Sequence, residues 1–515
     1  MAHRVEETVW IPLADGTRLA GRIWRPESET PAPAVLEFLP YRRRDATSQR
    51  DESTYPAFAE AGIAGVRVDS RGNGDSEGRF DDEYSETELS DACEVIAWIA
   101  EQPWCSGAVG MMGISWGGFN GLQVAALRPP ALRAVISIAS SSDRYNDDIH
   151  FKNGCLLSAN ISWAGTVFAN SSRPPDPKVV GPRWREIWLE RLETMPLPLE
   201  PWLAHQRRDA YWRHGSICED WGAVDVPVFV IAGWGDGYRN TPAALAAKMG
   251  APVKAMVGPW IHKYPHFAWP HPRADFLRMA IAWWRHHLMG EHTEATDWPL
   301  YRAWLGEGVR AGGRRAAEEG RWVGLDALPS DKVARRAFAL GADGRIGSET
   351  PGPLTLASPE TCGTACGEYF ARNPVADLPG DQRPDDALAL TWETAPLDET
   401  LDLLGRAEVS VEVSLDRTQG NLAARLLDVH PDGASTLIAR GVLNLSHRHS
   451  NAEPELMTPG RPERISLFLD ECGYSLRPGH RLRLALSTAY WPYILPAPEH
   501  VTATLEAGAG ATLTL

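Results

Sequence analysis

Residues 113–118 read Gly-Ile-Ser-Trp-Gly-Gly and follow an apolar run over residues 108–112. A stretch with helical character, residues 119–127, comes directly after them. The pattern G-x-S-x-G between a strand and a helix is typical of a nucleophile elbow, a sharp turn that exposes a serine hydroxyl and tolerates only small neighbours. We therefore predict that Ser115 is a nucleophile, and that the backbone N–H of Trp116 points toward any oxyanion formed there.

Strands and helices alternate along the chain on both sides of this turn. The alternating pattern of residues 7–24 around Asp15-Gly16 predicts a hairpin. Apolar runs predict further strands at 34–39, 63–68, 134–138, 226–232 and 253–257, and helical periodicity predicts helices at 55–61, 86–101 and 273–289. This order implies an α/β domain with a mostly parallel sheet and right-handed crossovers.

The alternation is interrupted once and then ends. Residues 143–222 are rich in Trp, Arg and Pro, with predicted helices at 183–193 and 203–212, and we interpret them as a helical cap over the carboxyl edge of the sheet. The α/β domain then comprises residues 1–142 and 223–296. Short alternating segments from residue 297 to 515 predict a C-terminal β-sandwich or jelly roll.

A serine nucleophile needs a histidine base and an acid that orients it, and in this kind of fold the chain order is Ser, acid, His. Asp236 and His262 each follow a predicted strand, whereas Asp225 precedes one and belongs at the opposite edge. His262 and His266 have the spacing of zinc-protease ligands, but Lys263 replaces the required Glu and Pro265 interrupts the helix. We expect no metal.

Composition narrows the classes of function. The chain has 515 residues, a formal charge of −16 and no membrane-length apolar run, so we expect no nucleic-acid or membrane partner. The N-terminus lacks a signal-peptide apolar core, and the seven scattered cysteines suit reduced thiols, so a cytoplasmic protein is expected. The glycine loop at 71–78 fails the dinucleotide and P-loop patterns, and we expect no cofactor.

Several motifs together resemble one family. They are Asp69-Ser70-Arg71-Gly72 with Gly78, Gln102-Pro103-Trp104-Cys105, the elbow, Gly233-Trp234 before Asp236-Gly237, Gly258-Pro259-Trp260 before His262, and Pro478-Gly479-His480. The chain resembles the α/β-hydrolase family that includes cocaine esterase, X-prolyl dipeptidyl peptidases and the α-amino acid ester hydrolases (the CocE/NonD family). The resemblance covers nearly the whole chain. It implies a triad of Ser115, Asp236 and His262, a helical cap and a C-terminal jelly roll.

The resemblance also implies an oxyanion hole formed by the Trp116 backbone N–H and a tyrosine hydroxyl, and Tyr41 in Leu39-Pro40-Tyr41-Arg42 matches that position. Tyr238 stands where the esterases carry an aromatic residue. Trp163 and Phe168 could complete an apolar acyl pocket, or else pack in the core. Residues 146–150 read Asn-Asp-Asp-Ile-His; we expect a solvated face of the cap, with binding of a substrate amine as the alternative.

The leading hypothesis is a serine hydrolase that cleaves carboxylic esters through an acyl-enzyme. An amidase or aminopeptidase with the same triad is the nearest alternative, and a non-catalytic binding protein is a third. We expect a small-molecule ester or amide as the substrate. The sequence leaves open its acyl and leaving groups, the physiological role and the oligomeric state, including whether the chain forms a homo-oligomer.

Overall fold

The α/β part of the protein is built on the predicted parallel strands. The computed structural model describes residues 2–372 and 377–515. In its first part the strands are β1 (His3–Pro12), β2 (Arg18–Pro26), β3 (Ala32–Leu39), β4 (Ala64–Asp69), β5 (Cys105–Ile114), β6 (Leu132–Ile138), β7 (Phe151–Lys152), β8 (Cys155–Leu156), β9 (Val228–Gly233) and β10 (Val253–Gly258). The helices are α1 (Ser48–Glu52), α2 (Tyr55–Glu60), α3 (Glu86–Ala100), α4 (Trp116–Ala126), α5 (Ala159–Ser171), α6 (Pro177–Val180), α7 (Trp184–Thr194), α8 (Leu199–Ala204), α9 (Ala210–Arg213), α10 (Thr241–Lys248) and α11 (Phe276–Met289).

The strand order β1-β2-β4-β3-β5-β6-β9-β10 confirms the predicted α/β domain. Strands β1 and β2 form the expected hairpin, β2 pairs with β4 antiparallel, and the pairs from β4 to β10 are parallel. All eight residues of β3 are buried, because helices cover both faces of the sheet. Side chains of α2 and α11 pack on one face, and those of α3 and α10 pack on the other.

The segment between β6 and β9 contains the small hairpin β7–β8 and helices α5 to α9. Helix α7 agrees with the predicted helix at 183–193, but the predicted helix at 203–212 is wrong. The structure instead ends α8 at Ala204 and starts α9 at Ala210, because Asp209 has extended backbone and its side chain accepts a hydrogen bond from the N–H of Tyr211, which caps a new helix.

The C-terminal part is a β domain joined edge to edge with the α/β sheet. Its elements are β11 (Tyr301–Glu307), β12 (Gly320–Leu325), β13 (Ala337–Leu340), β14 (Gly352–Leu356), α12 (Arg383–Asp386), β15 (Leu390–Glu393), β16 (Leu401–Leu415), β17 (Asn421–Val429), β18 (Ser435–Asn444), β19 (Glu463–Leu476), β20 (Arg481–Ser487) and β21 (Ala503–Thr514). Strand β11 pairs with β10, so within the described residues one sheet of 15 strands runs through both parts.

A second sheet, with the order β15-β20-β17-β18, lies in the C-terminal domain. The apolar core of the domain collects alternate residues of β16, such as Val409, Val411 and Val413, together with leucines of β17 and β20. The long strands therefore bury their apolar faces within this domain. None of the helices within residues 2–372 and 377–515 has the length and apolar character needed to cross a membrane.

Candidate active site

The turn at Ser115 is strained in the way that the sequence pattern predicts. Ser115 lies between β5 and α4 with φ 57° and ψ −125°, a backbone conformation that costs a residue with a side chain of order 1–3 kcal/mol. A Cβ atom at Gly113 would lie 2.5 Å from the carbonyl carbon of Gly117, and one at Gly117 would lie 2.9 Å from the side chain of Leu39. A larger residue at Gly113 would require a shift of the backbone, and one at Gly117 would require a shift of the Leu39 side chain.

The backbone after Ser115 offers a hydrogen-bond donor at the helix N-terminus. The carbonyl of Ser115 accepts bonds from the N–H groups of Gly118, at 2.7 Å, and Phe119, at 2.9 Å. Trp116 is the first residue of α4, so its own N–H has no acceptor within the helix. The helix dipole adds partial positive charge at the same end. An anion beside Ser115 would be stabilised here.

Tyr41 lies next to the serine. It follows β3, and the guanidinium of the buried Arg67 donates a hydrogen bond to its carbonyl oxygen. Its ring meets the rings of Trp116 and Trp163 edge to face, with centroid distances of 6.2 and 6.4 Å. Burial raises the pKa of the Tyr41 hydroxyl above its usual range, against the lowering effect of a hydrogen bond with the Ser115 side chain. The hydroxyl therefore stays protonated beside Ser115.

Asp236 and His262 meet at the carboxyl ends of two adjacent parallel strands. Gly233 of β9 pairs with Gly258 of β10, so the two loops leave the sheet at the same level. Nδ1 of His262 lies 2.8 Å from Oδ2 of Asp236, and both side chains are buried. A carboxylate on Nδ1 holds the proton there and leaves Nε2 free to accept one.

An aromatic wall surrounds these groups. The ring of Tyr238 lies 5.8 Å from that of His262, and the ring of Trp163 lies 6.1 Å from that of Trp116. The indole N–H of Trp163 donates to Oε1 of Glu83 at 2.8 Å, which orients the ring. The structure therefore brings Tyr238 and Trp163, two of the three predicted pocket residues, to the site.

Phe168, the third predicted pocket residue, does not join these rings. It lies five residues after Trp163 in α5, and therefore on another side of the helix, with 43% of its surface exposed. Phe370 takes the place expected for Phe168, with its ring 5.2 Å from that of His262 and 6.4 Å from that of Trp163. Phe370 lies more than a hundred residues after His262 in an irregular segment, and no sequence pattern pointed to it.

The expectation that residues 146–150 form a solvated face is wrong. Asp148 and His150 are buried, because residues of the α/β domain and the rings of Trp202 and Trp212 surround them. Oδ1 of Asp148 accepts a bond from the Tyr238 hydroxyl at 3.1 Å, and Nε2 of His150 lies 2.8 Å from Glu83. Oδ2 of Asp148 is buried and has no hydrogen-bond partner among the described residues. Burial raises the pKa of Asp148 to about 7, although the charge of His150 opposes the rise.

His266 is separate from the site's hydrogen bonds. Its ring stacks on Phe276, and burial lowers its pKa to about 4.

Within the described residues one group has the spacing of metal ligands, Asp428 with His430 and His480, and it lies in the C-terminal domain. Its polar atoms already bond within the protein: Asp428 with His480 Nδ1 and the hydroxyl of Tyr474, both at 2.8 Å, and His430 with Thr436 at 3.1 Å.

Comparisons with known proteins agree with this architecture. The family model of the X-Pro dipeptidyl-peptidase (S15 family) matches residues 15–264. The model of the X-Pro dipeptidyl-peptidase C-terminal non-catalytic domain matches residues 294–513. Together they account for most of the chain, and the boundary between them coincides with the start of the C-terminal β domain.

Individual relatives match over most of their length. A cocaine esterase from Rhodococcus sp. is 26% identical over 95% of this chain and 92% of its own. A putative Xaa-Pro dipeptidyl-peptidase from Streptomyces avermitilis is 23% identical over 98% of this chain and 82% of its own. The crystal structure of a CocE/NonD family hydrolase from Staphylococcus aureus superposes with a TM-score of 0.77, at 16% identity, over 100% of this chain and 94% of its own. The chain is a hydrolase with an α/β-hydrolase domain and a C-terminal β domain, and it belongs to the CocE/NonD family of X-Pro dipeptidyl-peptidase type.

Proposed function

We propose that the protein cleaves carboxylic esters through an acyl-enzyme formed on Ser115, with His262 as the general base and Asp236 as the group that orients it. The observation that carries the proposal is the 2.8 Å contact of His262 Nδ1 with Asp236, at the sheet edge where the Ser115 elbow opens. A relative named as a cocaine esterase supports the choice of esters.

The proposed reaction has two halves. In the first, Nε2 of His262 takes the hydroxyl proton as the Ser115 oxygen attacks the ester carbonyl, and the imidazolium then gives that proton to the departing alcohol. In the second, His262 takes a proton from water, the hydroxide attacks the acyl-enzyme, and Ser115 leaves with the proton. Asp236 stabilises the imidazolium in both halves through its bond to Nδ1.

The charge that develops on the carbonyl oxygen needs donors in place before the reaction. The backbone N–H of Trp116 and the hydroxyl of Tyr41 fill this role in the proposal. Support comes from the start of α4 at Trp116 and from the position of the Tyr41 hydroxyl beside Ser115. Tyr238, Trp163 and Phe370 form the aromatic wall of the acyl pocket.

The proposed architecture assigns a role to each segment. Residues 143–222 act as the helical cap, which contributes Trp163 and Asp148. Residues 1–142 and 223–296 form the hydrolase domain, and residues 297–515 form a jelly roll. Its two packed sheets support this last interpretation. The jelly roll also contributes Phe370, so the C-terminal domain takes part in shaping the pocket.

Two measurements test the ester proposal. Turnover of p-nitrophenyl acetate and butyrate is compared with that of aminoacyl- and dipeptidyl-p-nitroanilides, and a fluorophosphonate probe is used to label the serine. We expect ester turnover, with labelling lost in Ser115→Ala and kept in Ser446→Ala, a serine of the C-terminal domain. Turnover of anilides without esters contradicts the ester proposal. Absence of both turnover and labelling in folded protein contradicts the proposed triad and favours a binding protein.

A second candidate activity rests on Asp148. Its buried, unpartnered Oδ2 could accept a bond from a substrate ammonium group, which favours an aminopeptidase or amidase acting on amine-bearing substrates. The variant Asp148→Asn removes the charge and keeps a hydrogen-bonding oxygen for Tyr238. A larger loss of kcat/KM for alanine p-nitroanilide than for p-nitrophenyl acetate would favour this candidate, and equal losses would contradict it.

A further inference from the structure

The segment 369–372 lies directly against the loop that carries His262. The backbone N–H of His262 donates to the carbonyl oxygen of Ala371 at 2.8 Å. The ring of Phe370 faces that of His262 at 5.2 Å. The side chains next to this contact therefore lie beside His262 and beside a substrate bound there.

Two cationic side chains occupy this border. Lys263 follows His262 in the chain and is half-buried, whereas Arg372 is exposed, with its guanidinium 4.8 Å from the centroid of the Phe370 ring. Burial lowers the pKa of Lys263, and the positive charges of Arg372 and Arg50 lower it further. The cations therefore lie close enough to repel one another.

The acidic groups nearby do not neutralise this pair. The charge of Asp377 raises the pKa of Lys263, against the lowering effect of burial. Oδ2 of the same carboxylate accepts a hydrogen bond from the backbone N–H of Arg372 at 3.0 Å. Among the described residues neither Lys263 nor Arg372 forms an ion pair with a carboxylate. One carboxylate beside two cations leaves a net positive charge on the group formed by Lys263, Arg372 and Asp377.

Arg50 does not add to that net charge. Its guanidinium is held by Glu37 at 2.6 Å and by Asp51 at 3.0 Å. Both carboxylates are fully buried and belong to the network under the Tyr41 loop. Among the residues that the structure describes, the cations at the border that no carboxylate holds in an ion pair are therefore those of Lys263 and Arg372.

The chemistry of the reaction decides which part of a substrate reaches them. A histidine base gives its proton to the leaving group, so the leaving group must lie beside the imidazole. The ring of Phe370 lies beside that imidazole at 5.2 Å, the guanidinium of Arg372 stacks on Phe370, and Lys263 follows His262 in the chain. An anion on the leaving group would supply the missing partner and relieve the repulsion between the cations.

We propose that Lys263 and Arg372 recognise an anionic leaving group, and that the enzyme prefers ester or amide substrates whose leaving group carries a carboxylate. The proposal rests on the proposed function, since it assumes that Ser115 and His262 carry out the hydrolysis. The charge of the leaving group defines this substrate class, and the aromatic side chains of Tyr238, Trp163 and Phe370 alone do not select for that charge.

The test compares two aryl acetates that differ in charge but little in shape. One is 3-carboxyphenyl acetate, which is an anion at pH 7.5, and the other is its neutral isostere, 3-carbamoylphenyl acetate. The quantity measured is the ratio of their kcat/KM values in the wild-type protein and in the double variant Lys263→Gln/Arg372→Gln. Because the ratio is compared between proteins, the intrinsic reactivities of the two esters cancel.

We expect the wild-type protein to prefer the carboxylate ester, and the double variant to lower the ratio about tenfold or more, since a charge-assisted hydrogen bond contributes about 1.5–3 kcal/mol. We also expect 0.5 M NaCl to lower the ratio in the wild-type protein and to have little effect in the double variant. The control Lys332→Gln/Arg335→Gln removes two exposed cations from the C-terminal domain and should leave the ratio unchanged.

The outcomes separate the recognition of an anion from the esterase function on which it rests. A wild-type preference for the carbamoyl ester, or an unchanged ratio in the double variant, overturns the recognition of an anion. An equal fall in the control variant also overturns it, because a general effect of net charge then explains the result. Failure to hydrolyse either acetate contradicts the proposed esterase function instead, so the two claims fail in distinguishable ways.

Discussion

The substitution Tyr41→Phe isolates one hydroxyl group of the proposed oxyanion hole. The ring of Tyr41 contacts Trp116 and Trp163 through its edges and faces, and phenylalanine preserves that packing. Only the O–H next to Ser115 is lost. Because burial raises the pKa of this hydroxyl, it is a neutral donor at the pH of the assay, so its loss removes a hydrogen bond rather than a charge.

The expected loss of kcat follows from the number of hydrogen-bond donors in the proposed oxyanion hole. Two are proposed, the Trp116 backbone N–H and the Tyr41 hydroxyl, and loss of one oxyanion donor lowers kcat about 10²–10³-fold, or about 2.7–4 kcal/mol. The donor acts on the charge that develops in the transition state. We therefore expect kcat and kcat/KM for p-nitrophenyl acetate to fall together, while KM changes little.

The control is a second buried tyrosine. The hydroxyl of Tyr301 is buried without a hydrogen-bond partner among the described residues, so Tyr301→Phe alters a similar volume far from Ser115. Both variants should unfold near the wild-type temperature. A fall in kcat of less than tenfold for Tyr41→Phe, or a similar fall for Tyr301→Phe, would refute the assignment of Tyr41 as an oxyanion donor.

Three further predictions concern the elbow, the acid and a buried carboxyl group. Asp236→Asn should lower kcat about 10⁴-fold with little change in unfolding temperature, because an amide no longer holds His262 in the required tautomer; a loss below tenfold contradicts the role of Asp236. Gly113→Ala should abolish fluorophosphonate labelling or lower stability by about 1–3 kcal/mol, because its Cβ would lie 2.5 Å from Gly117; full labelling at wild-type stability contradicts the close packing. Glu88 accepts bonds from the indole of Trp116 and from Asn120, and burial raises its pKa from 4.5 to about 8. The folded state therefore holds a proton that the unfolded state has lost, so this group lowers the unfolding free energy by about 1.4 kcal/mol per pH unit as pH rises between about 4.5 and 8. Glu88→Gln should make the slope measured in denaturant titrations shallower by that amount, and an unchanged slope contradicts the prediction.

Local patterns were sufficient to predict the elements that carry the polar groups of the site. The strand and helix around Ser115 follow from an apolar run, a glycine-flanked turn and a helical repeat. Asp236 and His262 each come directly after a buried strand, and parallel strands bring their carboxyl ends to one edge. The structure joins these two side chains at 2.8 Å. Their meeting depends on chain order and sheet geometry, and both are recorded in the sequence.

Local patterns failed where burial depends on a distant part of the chain. Four of the five residues 146–150 are polar, which predicts a solvated face, yet Asp148 and His150 are buried with Tyr238 and Glu83 as their hydrogen-bond partners. Charged side chains are costly to bury unless they find partners, and those partners come from other elements. The break between α8 and α9 was missed for a simpler reason, since the cap at Asp209 lay inside a helical pattern.

The sequence by itself determined the α/β domain, the strained turn at Ser115 and the order of the serine, acid and histidine, because strand periodicity, glycine at close contacts and chain order are local properties. Only the tertiary structure decided what borders the serine. Phe370 reaches His262 from the C-terminal domain with Arg372 stacked on its ring, and Phe168 is exposed on another side of its helix. The proposed pocket combines segments that are far apart in the chain, and no local pattern records which side chains meet there.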